Sequence, residues 1–284
     1  MPIHLNPVSK IPPSEATNHE SDVYLLPAIS TIHFYALLCT KLHQTLYPGP
    51  KSTHPGIIEA NLQRNRKALL DDPEYQITTC VGCHDPEVGE EWNVVGFVKY
   101  LVKEGRRGNA TAGKQVANGE GQGQEEPVGV PGPPPAEVPK LEEKRVWPEG
   151  THTALVEHLW PKLLAVRQKY DKELQDYIFV DILGTDPSWQ RQGVGKLLME
   201  DEVCKVADQK GIPVWLEATQ EGRGLYEKLG FMEKEKIWVD LGRWENGQDK
   251  GEDWRGDGKG KEGEGEGWYV LVIMVREARA SNGV

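Results

Sequence analysis

A chain of 284 residues has room for one large domain or two small ones. Its formal net charge of −11 argues against a general nucleic-acid-binding role, although such a field draws in small cations such as amines. The four cysteines follow no secretory signal, and no apolar run reaches the roughly 18 residues of a membrane span, so cytosolic or nuclear residence with reduced thiols and no membrane partner is expected.

Residues 1–21 are polar and proline-bearing and read as a disordered arm. Val23-Tyr24-Leu25-Leu26 offers a first short strand. Ser30 or Thr31 then caps a helix whose positions Tyr35, Leu38, Cys39, Leu42 and Leu46 keep helical spacing until Pro48-Gly49-Pro50 stops it. A second helix spans 55–70 with Ile58, Leu62 and Leu69 inward. Two β-rich runs, 75–81 and 92–102, then form a hairpin around a turn-rich segment. Within it, Cys80-Val81-Gly82-Cys83-His84 has the spacing of a c-type haem attachment, and paired cysteines also seed zinc sites. With no export route and no second ligand pair nearby, it reads as a hairpin that carries thiols.

From Glu104 to Arg145 the chain is glycine, proline, glutamine and mixed charge, with too little apolar surface to offset its ordering entropy, which predicts a disordered insertion. Leu155, Leu159, Leu163, Val166 and Tyr170 line one face of a helix that Pro161 should kink or start. A strand Tyr177–Leu183, a glycine loop and a helix 193–209 follow, closed by Gly211-Ile212-Pro213. Then come a strand Val214–Ala218, a short helix ending at Gly230, a strand Ile237–Leu241, a second low-complexity insertion 245–267 and a last strand Trp268–Val275.

The glycine loop carries the chemistry. Strand, glycine turn and helix start in that order make an anion-binding device, because the first N–H groups of a helix lack intrahelical partners and its dipole adds roughly half a positive charge there. Gly193 and Gly195, without Cβ, let a phosphate approach the backbone. A P-loop reading fails because Gln190 and Leu197 stand where glycine and Ser or Thr belong. A dinucleotide fingerprint fails because Leu198 replaces its third glycine and no acidic residue ends a following strand. Gln190-Arg191-Gln192-Gly193-Val194-Gly195 does fit the pattern Gln/Arg-x-x-Gly-x-Gly/Ala.

That pattern resembles the pyrophosphate loop of the GNAT-type N-acetyltransferase superfamily, which binds acetyl-coenzyme A. Leu225-Tyr226-Glu227-Lys228-Leu229-Gly230-Phe231 is similar to the family's Leu-Tyr-x-x-x-Gly-Phe signature. Val95-Gly96-Phe97-Val98 looks like one of its strands, and Pro213 to Ala218 reads Pro-x-x-Leu-Glu-Ala, common in fungal members. The element order is similar along the whole chain. The resemblance implies an α/β (α+β) GNAT fold: one domain over 22–280, interrupted at 104–145 and 245–267, with a mixed, mostly antiparallel sheet of six to seven strands splayed between strands four and five and flanked by helices.

It also implies acetyl-coenzyme A as co-substrate and no metal. Backbone groups of Ile182, Leu183 and Thr185 would meet the pantetheine; Gln190, Arg191, Gln192, Gly193, Val194, Gly195 and Lys196 would surround the pyrophosphate. Tyr226 falls where the family carries the acid that protonates the leaving thiolate. Asp181 and Glu217, on strands four and five, are the candidates for the base, with a structural hydrogen bond as the rival role; Phe179 stands where many members carry a glutamate. His54, His84, His152 and His158 have no motif context and read as surface or packing residues. The implied function is transfer of acetyl to a primary amine of a small molecule, with a protein or peptide N-acetyltransferase, or a non-catalytic acyl-coenzyme A binder, as alternatives. The acceptor depends on the first inter-helix loop, Pro48–Gly56, and on the connection between strands six and seven; neither it nor the oligomeric state is legible.

Overall fold

The computed structural model describes residues 3–7, 25–82, 92–105, 146–255, 262–263 and 265–279. It divides into a compact unit, Met1–Gly105 with Pro148–Val284, and a second, Arg106–Trp147, of which only Val146 and Trp147 are described. Seven strands form one sheet in the order β1-β2-β3-β4-β5-β7-β6. They are β1 (Ile3–Pro7), β2 (Tyr75–Gly82), β3 (Asn93–Lys103), β4 (Tyr177–Thr185), β5 (Val214–Ala218), β6 (Met232–Asp240) and β7 (Trp268–Arg276). Every pairing is antiparallel except β4 with β5.

That parallel pair sets up the site. It holds only three couples, Ile178 with Val214, Phe179 with Trp215 and Val180 with Leu216. Beyond them β4 runs on to Thr185 and β5 to Ala218 without pairing to each other, so the sheet splays from Asp181 and Glu217 onward. Opposite β3, Lys99 faces Ile182 and Tyr100 faces Val180, which leaves Asp181 as the extra residue of a β-bulge.

Helices cover both faces. On one lie α5 (Val194–Leu197), its π-helical continuation Leu198–Cys204, α6 (Lys205–Lys210) and α7 (Arg223–Lys228), sharing a core with Ile178, Val180, Leu216 and Val272. On the other lie α1 (Leu26–Leu38), α2 (Lys41–Leu46), α3 (His54–Asp71) and α4 (Thr153–Glu173), which bury Phe97, Phe179, Trp215 and Tyr269. Trp215 anchors this second core, with Tyr170 stacked on it at 4.9 Å and Phe179 at 4.3 Å. Among the described residues no helix is long and apolar enough to cross a membrane.

Several elements depart from the sequence reading. Ile3–Pro7, expected in a disordered arm, pairs with Thr78–Gly82 at the sheet edge; its alternation covers too few residues to stand out among prolines. Leu25 and Leu26 open α1 rather than a strand, because Pro27 presets a helical φ in the first turn. The expected first helix is two: α1 ends at Leu38, and the Thr40 hydroxyl accepts the His43 N–H at 3.2 Å to start α2. α3 buries Ile57, Asn61, Asn65 and Leu69, a face carrying two asparagines, so the apolar residues alone pointed one position away. α4 begins at Thr153, capped by His152, whose Nδ1 accepts the Leu155 N–H at 3.4 Å, and runs through Pro161. His54 packs edge-on against Phe34 at 4.7 Å.

The second insertion, expected to be disordered, is pinned through residue 255. Asp240 accepts two hydrogen bonds from Arg255, at 2.8 and 2.7 Å, and one from the Trp254 indole at 2.9 Å. Arg243 grips Asp249 with two bonds, at 2.6 and 2.9 Å, and lies over the buried Trp244 ring. Low-complexity composition hid two Arg–Asp forks and two tryptophans. Asp240→Asn is expected to cost about 1–2 kcal/mol in urea unfolding and to expose 245–255 to limited proteolysis. Residues 256–261, and 106–145 of the first insertion, lie outside the described residues, as do Cys83 and His84. Cys80 is buried in β2, and among the described residues no cluster of His, Cys, Asp or Glu could hold a metal.

Candidate active site

β4 ends at Asp186-Pro187, where proline has no N–H to extend the ladder. The Asp186 carboxylate accepts the Ser188 N–H at 2.8 Å, closing a tight turn, Pro187–Trp189, over the buried Trp189 ring. The chain then reverses through two positive-φ residues, Arg191 (64°) and Gly193 (91°). The Gly193 carbonyl accepts the Leu197 N–H at 2.9 Å as the first bond of α5, leaving the helix's first N–H groups for an outside partner. A Cβ on Gly193 would meet no atom within 4 Å, so the space before the helix is open. Gly96, by contrast, is needed for contact: a Cβ there would lie 2.5 Å from Val194, which is how α5 seats against β3. Open space, unpartnered N–H groups and a nearby exposed arginine fit a diphosphate.

The other expected contacts fall around this loop. The Gln190 amide donates to the Thr185 carbonyl at 3.4 Å and lies 3.9 Å from the Cys39 thiol, tying the loop to the end of α1. Gln192 donates back to the Ser188 carbonyl at 2.9 Å. Gly195 sits between Leu183 and Leu225. Lys196 is turned outward and pairs with Glu200 at 3.4 Å. Ile182 packs toward α1, on the opposite face from Leu183. Tyr226, on α7, is buried on the loop's side of the sheet, edge-on to Phe231 at 5.7 Å. Burial pushes its phenol above the ordinary tyrosine range, so it stays protonated at neutral pH, and the same burial makes it a weaker acid.

The opposite face of the splay holds a charged network. Arg167 of α4 donates to both Glu217 oxygens, at 2.9 and 2.8 Å, and reaches to 3.9 Å from Asp181. Lys99 of β3 pairs with Asp181 at 2.9 Å and donates to Asn65 at 3.2 Å, and Asn65 donates to Ser30 at 3.2 Å. Burial would lift the Asp181 carboxyl, but the Lys99 ammonium and Arg167 guanidinium outweigh it and hold it below the usual carboxylate range. His33 faces this network from α1, its buried Nδ1 without a partner; burial and then Lys99 pull it down to about 3, so it is neutral. Asp181 and Glu217 are thus brought together, and each is engaged by a cation. The sequence reading missed Lys99, Arg167, Asn65 and His33. Lys99 had a signal, as the one charge between Val94 and Val102, and so did Asn61 and Asn65 at helical spacing between Ile57 and Leu69. Arg167 had none.

Residues 153–233, from α4 through α7, match the family model described as an acetyltransferase (GNAT) domain. No curated protein matches the sequence. Among solved structures, arylalkylamine N-acetyltransferase 2 from Aedes aegypti is 14% identical, with 98% of this chain and 99% of that one covered at a TM-score of 0.53. NAA60 from Arabidopsis thaliana, in complex with a bisubstrate analogue, is 11% identical over 99% and 100%, with a TM-score of 0.42. The ribosomal-protein-S18-alanine N-acetyltransferase from Escherichia coli is 13% identical over 99% and 98%, with a TM-score of 0.38. The mosquito enzyme shares the fold at this level. The open mixed sheet is the GNAT fold, and the family match falls on the segment that carries the glycine loop.

Proposed function

We propose that the chain transfers the acetyl group of acetyl-coenzyme A directly to the primary amine of a small molecule. The observation that carries this reading is the open, positive-φ loop at the start of α5, placed at the splayed end of β4 with Tyr226 on the same face. N–H groups from Val194 onward, with Arg191, would hold the diphosphate, and backbone groups of Ile182, Leu183 and Thr185 the pantetheine. When bound, this co-substrate supplies an activated thioester. The amine nitrogen attacks its carbonyl carbon, the C–N bond forms and the C–S bond breaks. A strand-four N–H beside the Asp181 bulge is suited to the developing oxyanion. Tyr226 donates its proton to the departing thiolate.

The small-molecule acceptor is favoured over a protein because the net charge of −11 draws in small cationic amines. A thiol-release screen across polyamines, aryl and arylalkyl amines, aminoglycosides and peptides tests it: release with peptides alone would move the assignment to a protein acceptor, and acetyl-coenzyme A stabilisation without release would leave a binder. Tyr226→Phe is expected to lower kcat by about 10²-fold or more while acetyl-coenzyme A still stabilises the fold. Unchanged turnover would remove the acid role from Tyr226.

A further inference from the structure

A base for the acceptor amine is missing from the strands, since Asp181 and Glu217 are engaged by Lys99 and Arg167. A carboxylate stands just beyond them. Glu221 lies shortly beyond the end of β5, past the last β4–β5 couple, and is exposed. Among the described residues no lysine or arginine pairs with it. Its partner is the Tyr269 hydroxyl, which donates to it at 2.6 Å. Tyr269 is fully buried in the core between the sheet and α4, the face opposite the glycine loop and Tyr226. Its hydroxyl also meets Thr40, the residue that joins α1 to α2. Glu221 is therefore held at the meeting of the β5 end, the β7 start and the α1–α2 corner.

Resting on the acyl-transfer reading above, we propose that Glu221 takes up the acceptor amine and receives its proton, with Tyr269 as its positioning residue. An amine bound there approaches from one face of the splay while the thioester lies toward Tyr226 on the other. An amine that arrives as an ammonium first passes one proton to the Glu221 carboxylate and from there to solvent, which its exposure allows; the freed lone pair then bonds to the carbonyl carbon as the C–S bond breaks, and the second nitrogen proton leaves through water. The thiolate takes the Tyr226 proton, which water replaces. Among the described residues, the charged and titratable groups near this corner include Tyr269 from β7, His43 across Thr40 from α2, and Arg223, which is turned instead to Glu227 and Glu233. A carboxylate with no competing cation suits an amine that arrives as an ammonium.

The test compares Glu221→Gln, Tyr269→Phe and the unaltered chain with 2-phenylethylamine, aniline and a short peptide with a free N-terminus as acceptors. Thiol release is followed across pH, and thermal stabilisation by acetyl-coenzyme A in parallel. Glu221→Gln is expected to keep that stabilisation and to lose about 10²-fold or more in kcat/KM for 2-phenylethylamine near neutral pH. The deficit should shrink as pH nears the amine's own pKa, because free amine needs no base, and should be several-fold smaller for aniline, which is already neutral. A merely structural role would produce neither trend. Tyr269→Phe should show a smaller loss with the same recovery; full activity there would remove the positioning role. Glu221→Gln with unchanged rates, with a pH-independent deficit, or without acetyl-coenzyme A stabilisation would overturn the assignment. A wild-type chain that binds acetyl-coenzyme A yet releases no thiol with any acceptor would overturn the transfer reading itself, and a silent variant beside an active wild type cannot be mistaken for that result.

Discussion

Gly193→Glu is expected to abolish stabilisation by acetyl-coenzyme A while leaving the fold in place. The residue is the N-cap of α5 at φ 91°, so a side chain there costs about 1–3 kcal/mol of backbone strain. Nothing lies within 4 Å of the added Cβ, so no clash compounds that cost and the core beneath Val194 stays packed. The damage falls on the ligand. A carboxylate at this point takes the helix N-terminus for itself and repels a diphosphate where the unpartnered N–H groups would meet it. A ligand at 100 times its Kd stabilises a fold by about 2.7 kcal/mol, and that shift should vanish in a melting experiment. Gly193→Ala separates the two effects, since it carries the strain without the charge and should weaken the shift without erasing it. A Gly193→Glu protein stabilised as well as wild type would place the diphosphate elsewhere.

The parts of this site legible in the sequence are those made by local rules. A β-rich run, two glycines and an amphipathic pattern fix a strand, a turn and a helix start within a few residues of one another, and Tyr226 follows in the same local code. The loop therefore appeared where it was expected. The other face of the splay is built from residues far apart in the chain: Ser30, Asn65, Lys99, Arg167 and Asp181 come from three helices and two strands, and only the tertiary fold brings them together. A polar residue on a buried face is a visible anomaly, as Lys99 and Asn65 are, but its partner is not named by any spacing. β1 and the Arg243–Arg255 segment were lost for a related reason. Their composition is that of a linker, and their order comes from tertiary pairing with β2 and with Asp240, which outweighs local propensity.

Lys99→Met should be among the most destabilising single changes in this chain, costing about 3–5 kcal/mol, because it strands the Asp181 carboxylate in the core with Arg167 no nearer than 3.9 Å. It also deprives the Asn65 carbonyl of its donor. The double variant Lys99→Met/Asp181→Asn removes the stranded charge and should recover most of that loss, which distinguishes an unpaired carboxylate from lost lysine packing. The pH dependence supplies the sign. In the native chain Asp181 titrates below its unfolded value, so its contribution is present above about pH 4 and is lost as pH falls through the folded value. Without Lys99 the burial that pushes the carboxyl upward is less opposed, so acidification neutralises the stranded charge and the deficit against wild type should narrow between neutral pH and pH 5. Urea unfolding at both values measures this. A Lys99→Met deficit within about 0.5 kcal/mol, the scale of a surface substitution, would mean that Arg167 alone holds Asp181 and that the network does not constrain the splay.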